Sequence, residues 1–281
     1  MKRLKQQVIL LTGAASGIGA ASARLAVSLG HQVMLADVNI DDARTIAASL
    51  GEKAAAIKLD IRSPTQWEQA LDATIKRFGR LDVLVNNAAI VCTGYAREVP
   101  LEQHQRTMDT NFMGPLTGML AALGRFRKQG YGHIVTVCSM TAFLPFPGIA
   151  SYGASKQALR AFHHALALEE RESPIHFTIL HPTSTETPML EQEAQDDAVS
   201  LAFVSESVTP EFVAETLLTA IRKKAVEVFM PPEQARTIRM LGTDPKRMRK
   251  LLDTMEMIGK DAQIARRAAS DPHSSARSAR K

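Results

Sequence analysis

Seven short apolar runs without polar alternation recur along this chain, and they constrain its fold more than any other feature. They lie at residues 6–12, 32–36, 54–57, 83–85, 134–137, 177–180 and 226–229. Strands buried on both faces have this composition, whereas strands with one wet face alternate apolar and polar residues. The runs therefore predict the strands of a parallel sheet.

Helical patterns fill the intervals between these runs, at residues 18–29, 41–50, 64–78, 101–128, 152–171 and 210–223. Alternating strands and helices produce right-handed crossovers, which place helices on both faces of the sheet. The predicted fold class is therefore α/β, a doubly wound parallel sheet of the Rossmann-like type. A chain of 281 residues is near the upper size for one such domain.

The pattern changes after residue 232, so we predict a catalytic domain over residues 1–232. Residues 233–259 are charged and rich in Met, with breaks at Gly242 and Pro245, which predicts a C-terminal helical extension. Residues 260–281 lack periodicity and predict a basic disordered tail. Deleting that tail is expected to leave activity unchanged.

The net charge of +5 is unevenly distributed, since residues 260–281 hold six Lys or Arg against two Asp. The basic character thus belongs to the end of the chain and does not predict nucleic-acid binding by the domain. No window reaches transmembrane length, so we predict no stable membrane insertion. Two cysteines, Cys92 and Cys138, provide no disulfide framework and favour a reducing, cytoplasmic location.

A glycine-rich loop follows the first run and reads Thr12-Gly-Ala-Ala-Ser-Gly-Ile-Gly19. At a strand-to-helix junction, the backbone N–H groups of such a loop and the helix dipole can face a pyrophosphate. Gly13 permits the turn, Gly17 lets the phosphates approach, and Gly19 lets the helix pack on the strand. Ser16 and Ile18 belong to the same predicted site. The alternative is an ordinary flexible loop.

An acidic residue, Asp37, ends the second run. From this position a carboxylate accepts hydrogen bonds from the adenosine ribose hydroxyls and repels a 2′-phosphate. Its neighbours Ala36, Val38 and Asn39 carry no positive charge, and neither does Ser16. The predicted cofactor is therefore NAD. A strand-end turn aspartate without this role is the alternative.

Tyr152 and Lys156 are four residues apart at the start of a predicted helix, so their side chains share one face. The ammonium is expected to lower the pKa of the phenol toward neutrality. Ser139 directly follows a predicted strand, and its hydroxyl should emerge where open α/β sheets bind their ligands. A Tyr and a Lys four residues apart are common by chance, so a helix without catalytic function is the alternative.

These motifs, together with Asn86-Asn-Ala-Ala89 and Asn111, resemble the single-domain short-chain dehydrogenase/reductase family over roughly residues 6–230. The resemblance implies that Tyr152 exchanges the hydroxyl proton and that Lys156 also binds the nicotinamide ribose. It implies that Ser139 binds the substrate oxygen and that Asn111 supports a water of the proton relay. The further cofactor contacts that it implies are Asp60, Ile61, Asn87, Ala88, Ala89, Pro182, Thr185 and Thr187. Ala89 and Thr183 stand where the family usually has glycine.

The resemblance implies an NAD-dependent enzyme that interconverts a secondary alcohol and its ketone. Two alternatives remain open: an acyl-thioester ketoreductase, and a non-catalytic dinucleotide-binding sensor or scaffold. A homodimer or homotetramer is expected, with an interface on the helices at residues 101–128 and 152–171. No metal site is predicted, because adjacent His163 and His164 point in different directions on a helix.

The segment from residue 182 to 221 is expected to form a lid over the substrate. It contains eight acids and no Lys or Arg. We predict that the acids face water and repel phosphorylated carriers such as coenzyme A. Apolar residues of the lid and of neighbouring loops should line the pocket and select a small hydrophobic alcohol or ketone. They are Ile90, Val91, Met140, Phe143, Leu144, Phe146, Met189, Leu190, Val199, Leu201, Phe203 and Val204.

Overall fold

A computed structural model describes residues 6–270, and a seven-stranded sheet forms the centre of this part of the chain. The strands are β1 (Val8–Thr12), β2 (Gln32–Asp37), β3 (Ala54–Lys58), β4 (Val83–Asn86), β5 (Gly132–Val137), β6 (Ile175–Pro182) and β7 (Glu227–Met230). Their order across the sheet is β3-β2-β1-β4-β5-β6-β7, and every neighbouring pair is parallel. The predicted doubly wound parallel sheet is confirmed.

Helices cover both faces of the sheet. They are α1 (Gly17–Ser28), α2 (Ile40–Leu50), α3 (Pro64–Phe78), α4 (Leu101–Met108), α5 (Gly114–Gln129), α6 (Ala150–Glu169), α7 (Pro188–Ala194), α8 (Pro210–Lys223), α9 (Ala235–Gly242) and α10 (Pro245–Ser270). One apolar core joins α1, α2 and α8 to the sheet, and a second core joins α3, α5 and α6 to the opposite face. None of the described helices combines the length and the hydropathy that crossing a bilayer requires.

Helix α3 shows how local sequence signals place these elements. The Ser63 hydroxyl accepts a hydrogen bond from the Gln66 N–H at the start of the helix, and Gly79, in the left-handed region, ends it. Trp67 is fully buried, and its ring lies where a Cβ on Gly118 would stand 2.4 Å away. Glycine at position 118 therefore lets α3 and α5 pack closely around the tryptophan.

The predicted helix over residues 101–128 is not continuous, because residues Asp109–Met113 form a π-helical turn between α4 and α5. The Gly114 N–H donates to the Asp109 carbonyl, five residues back. Pro115 follows, and since proline has no N–H it cannot donate to the Asn111 carbonyl four residues back. Turns of this kind occur frequently at functional sites.

The prediction that residues 260–281 are disordered is wrong for residues 260–270, which continue α10. Among the tertiary contacts that hold this segment is Gln263, which is 1% exposed and donates to backbone carbonyls of the predicted lid. A segment with little periodicity can be helical when it packs on another element. Residues 271–281 lie outside the described residues. Gly242 and Pro245 mark the break between α9 and α10.

Candidate active site

A cavity of about 770 Å³ opens at the carboxyl ends of the strands, where the strand order reverses between β1 and β4. Ligands of open α/β sheets bind at this point. All the site residues predicted from the sequence line this cavity except Gly19 and Asn111. The C-terminal extension contributes one wall through Thr237, Ile238 and Met255.

The glycine loop is held tightly at one end of the cavity. Gly13 and Gly17 have positive φ angles of 64° and 48°, which favour glycine. A Cβ on Gly19 would stand only 2.0 Å from the Gly13 carbonyl oxygen, so Gly19 acts by allowing the loop to fold on itself. The Asn87 amide donates to the carbonyls of Thr12 and Gly13, at 2.9 and 3.1 Å. Asn87 thus braces the loop from behind.

Asp37 and Asp60 lie at the same end of the cavity. The Asp37 carboxylate accepts the N–H groups of Ala15 and Asn39, both at 2.9 Å, which orients it toward the glycine loop. Asp60 is bound by Arg62 at 2.6 Å, and this hydrogen bond lowers the pKa of Asp60. Arg62 also lines the cavity, and sequence reasoning missed it.

Tyr152 and Lys156 lie one turn apart on α6, with exposed fractions of 9% and 2%. The Lys156 Nζ atom lies 5.5 Å from the centre of the Tyr152 ring and donates to the Val137 carbonyl at 3.2 Å. Both residues and Ser139 line the cavity. The geometry therefore brings a phenol, an ammonium and a hydroxyl together at one buried end.

The expected lowering of the Tyr152 pKa is wrong for this arrangement. Burial raises the pKa of the phenol above its ordinary value, and the Glu193 charge raises it further, while a hydrogen bond with Ser139 opposes them. Burial also lowers the pKa of Lys156. Desolvation is the largest influence on the pKa of Tyr152, because burial disfavours the charged phenolate.

Ser139 is positioned from behind by a buried histidine. His181 Nδ1 lies 3.0 Å from the Ser139 carbonyl oxygen, and its Nε2 lies 3.0 Å from Glu227. Both ring nitrogens face acceptors, which requires the doubly protonated imidazolium. Burial opposes that charge, but hydrogen bonds to Cys138 and Glu227 raise the pKa of His181. A histidine directly before Pro182 was the only sequence signal for this residue.

Glu227 connects this histidine to the C-terminal extension. Its carboxylate binds Arg160 of α6 at 2.9 Å and Arg239 of α9 at 3.0 Å. The same arginines stack over Phe143 and Phe229, which enclose the His181 ring. The charged network therefore joins the strand end that carries Ser139 to helix α9.

Asn111 lies in the π-helical turn and is fully buried. Its Oδ1 accepts the Ile90 N–H at 2.9 Å, and its Nδ2 donates to the Ile90 carbonyl at 2.8 Å. Both ends of the amide are thus committed to the segment after β4. The side chain fixes that cavity wall and does not itself reach the cavity.

Within the lid, the Thr187 hydroxyl caps α7, and the Thr187 methyl group lies where a Cβ on Gly17 would stand 2.9 Å away. Helix α10 packs across the lid. Arg266 pairs with Glu186 and Glu191, and Arg267 pairs with Asp197 at 2.7 Å. The prediction that the lid acids form a repulsive surface is therefore wrong in part, because these arginines neutralise three of the acids. The arginines lie far along the chain from the lid.

The apolar wall differs from the prediction in three residues. Phe143 packs against His181 and Phe229, while Val199 and Phe203 are buried in the cluster that joins the lid to Tyr152. The other predicted wall residues line the cavity, together with Ile149. Within residues 6–270, no three His, Cys, Asp or Glu side chains converge as a metal centre requires.

Comparisons with known proteins agree with this geometry. The family model described as "short chain dehydrogenase" matches residues 7–198. The uncharacterized oxidoreductase YxnA of Bacillus subtilis is 32% identical, over 98% of this chain and 79% of that protein. A "3-alpha-(or 20-beta)-hydroxysteroid dehydrogenase" of Mycobacterium bovis is 33% identical, over 69% of this chain and 75% of that protein.

A solved structure has the same fold. The 3-ketoacyl-(acyl-carrier-protein) reductase of Brucella melitensis, complexed with NADH, superimposes with a TM-score of 0.72. It is 27% identical, and the match covers 79% of this chain and 95% of that chain. The match leaves about a fifth of this chain uncovered.

Proposed function

Because the chain belongs to the short-chain dehydrogenase family, an oxidoreductase family, we propose that it uses NAD to interconvert a hydrophobic secondary alcohol and its ketone. One observation carries this proposal. Tyr152, Lys156 and Ser139 meet at one end of a buried cavity whose other end holds the glycine loop and Asp37. This arrangement supports hydride chemistry better than a sensor or scaffold, which would need no buried phenol and ammonium.

The residues present fit a nicotinamide dinucleotide. The glycine loop leaves room for a pyrophosphate at the start of α1, since the loop backbone turns where side chains would collide. Asp37 is oriented to accept from ribose hydroxyls. When bound, the nicotinamide would accept or give the hydride. Lys156 would hold the nicotinamide ribose. Thr185 and Thr187 would hold the carboxamide.

The proton is handled by the chain's own residues. With its pKa raised by burial, the Tyr152 phenol is protonated and ready to donate to the oxygen of a ketone as it is reduced. Ser139 would donate to the same oxygen and stabilise the charge that develops there. In alcohol oxidation the Tyr152 phenol would first release its proton through the relay, and the resulting phenolate, stabilised by Lys156, would accept the proton of the alcohol.

A relay toward water can continue through Lys156 to the π-helical turn. The Asn111 amide is used by Ile90, so the backbone carbonyl of Asn111 is the atom suited to hold a relay water. Pro115 denies that carbonyl its usual helical donor. We therefore assign the relay role to the backbone of Asn111 and a bracing role to its side chain.

Asp37 should set the preference for NAD over NADP. We expect the wild-type enzyme to have a kcat/KM for NAD at least about 10-fold above that for NADP, because a 2′-phosphate would lie against this carboxylate. Asp37→Ser should reduce the ratio of kcat/KM for NAD to kcat/KM for NADP, mainly through changes in the KM for the cofactors. Initial rates with both cofactors measure this ratio, and Asp41→Ser, at an exposed position of α2, is the control. Equal use of both cofactors by the wild-type enzyme would contradict this assignment.

The substrate class is tested by competition. The cavity wall is largely apolar, and the Mycobacterium bovis relative is named for hydroxysteroids, so bulky hydrophobic secondary alcohols should have a higher kcat/KM than small polar ones. The neutralised lid acids and the Brucella melitensis structure favour one alternative, an acyl-thioester ketoreductase. Nicotinamide absorbance with a ring alcohol and with an acetoacetyl-thioester distinguishes them. A faster rate with the thioester would replace the alcohol proposal.

The oligomeric and cytoplasmic predictions stand as proposals. Exposed apolar side chains on α4, α5 and α6, among them Leu101, Leu120 and Leu168, support an interface between copies of the chain.

A further inference from the structure

Glu193 is a buried acid in the wall of the catalytic cavity. It lies on α7, is only 8% exposed, and lines the cavity that contains Tyr152. Tyr152 packs in one apolar cluster with Leu190 and Ala194 of α7, and the Glu193 charge raises the pKa of the Tyr152 phenol. The expectation that this lid acid faces water is wrong, because α7 turns this side chain inward while Glu191 of the same helix pairs with Arg266 on the surface.

The Glu193 carboxyl has no partner among the described residues that donates a hydrogen bond to it, and burial raises its pKa to about 7. Leaving a buried carboxyl without a partner costs stability. The position is nevertheless fixed: Gln263 of α10 donates to the Glu193 carbonyl at 3.2 Å. A polar group that lines a largely apolar cavity, on a backbone fixed by Gln263, is placed to bind a polar group of the substrate.

We propose that the Glu193 carboxyl binds a second hydroxyl group of the substrate, so that the preferred substrate is a hydrophobic ring alcohol carrying two hydroxyls. This inference rests on the proposed dehydrogenase function. One hydroxyl is oxidised at Tyr152, and the other identifies the substrate at Glu193.

A hydroxyl matches this carboxyl better than an ammonium does. Near neutrality the carboxyl exists in both protonation states, and a hydroxyl can donate to the ionised form or accept from the protonated form. An ammonium can pair only with the ionised form. Lys156 lines the same cavity and would repel a second cation there.

The test compares cyclohexanol with cis- and trans-cyclohexanediols, using NAD and the full-length enzyme. We expect the kcat/KM of the wild-type enzyme for the better diol to exceed that for cyclohexanol by at least about 10-fold, the effect of one hydrogen bond to a buried polar group. Glu193→Leu should abolish this advantage, because it should lower kcat/KM for the diol by at least about 10-fold more than kcat/KM for cyclohexanol. Glu193→Gln should retain most of the advantage, since an amide also binds a hydroxyl.

Glu206 is an exposed acid of the lid, so Glu206→Leu is the matched control. It should leave the kcat/KM of the diol relative to that of cyclohexanol unchanged. Equal loss for the alcohol and the diols in Glu193→Leu would show a structural role only and overturn the inference. Preference for an aminocyclohexanol that disappears in Glu193→Leu would also overturn it in favour of an ammonium. Turnover of cyclohexanol without any diol advantage refutes the inference but leaves the proposed function intact. No turnover of any alcohol refutes the proposed function.

Discussion

Replacing Tyr152 with phenylalanine is expected to lower kcat by at least about 100-fold, the usual contribution of a general acid or base. The variant loses only the phenolic oxygen, and its ring still fills the space between Ser139 and Lys156. NADH affinity should therefore stay within about 2-fold of the wild-type value. Steady-state rates of nicotinamide absorbance give kcat, and a fluorescence titration gives the NADH affinity.

Tyr131→Phe is the matched control, because Tyr131 is 42% exposed and precedes β5 far from the cavity. Its kcat should equal that of the wild-type enzyme. Near-normal turnover by Tyr152→Phe would remove Tyr152 from the proton transfer. A large loss of NADH affinity in Tyr152→Phe would show that the change disturbs the cofactor site, and the loss of kcat would then not measure the proton step.

Ending the chain at Gly259 is expected to lower kcat/KM for the alcohol by about 10- to 100-fold. This reverses the expectation from the sequence that residues 260–281 can be deleted without loss, because residues 260–270 pack on the lid. This truncation removes Gln263, which donates to the Glu193, Ala194 and Asp196 carbonyls at the end of α7. It also removes Arg266 and Arg267, which pair with lid acids. The lid should then lose its fixed position over the substrate, while NADH affinity remains near normal because β1 and α1 are untouched.

A chain ending at Ser270 is the matched control, and it should be fully active if residues 271–281 take no part. Gln263→Leu isolates the three hydrogen bonds from the rest of α10, and should reproduce part of the loss. Full activity of the chain ending at Gly259 would show that α10 does not position the lid. A thermal unfolding curve separates loss of fold from loss of lid position.

The placement of the strands was predictable because it depends on local composition. A run such as Val83–Asn86, apolar on both faces, is typical of strands in a parallel sheet covered by helices on both sides, so its own residues indicate its place. The same holds for α3, whose Ser63 cap and terminal Gly79 are adjacent signals. The interruption of the predicted long helix at Asp109–Met113 was not predicted, although Pro115 is a visible reason for it.

The candidate site divides in the same way. The order of these motifs in the sequence was sufficient to predict that they line one cavity. They are the glycine loop, Asp37, Ser139, Tyr152 and Lys156. The partners of these residues were not predictable: His181 behind Ser139 and Arg62 on Asp60 depend on which elements meet. A pKa depends on burial as much as on neighbours, so the raised pKa of Tyr152 could not be inferred from its distance to Lys156 along the chain.

The sequence by itself determined the α/β class, the parallel sheet and the candidates for proton transfer, because these follow from hydrophobic periodicity and from motifs a few residues long. Only the tertiary structure decided that α10 closes over the lid and that Glu193 faces inward. Both depend on contacts between residues about 70 positions apart. Packing of one element on another fixes such contacts, and no local pattern encodes them.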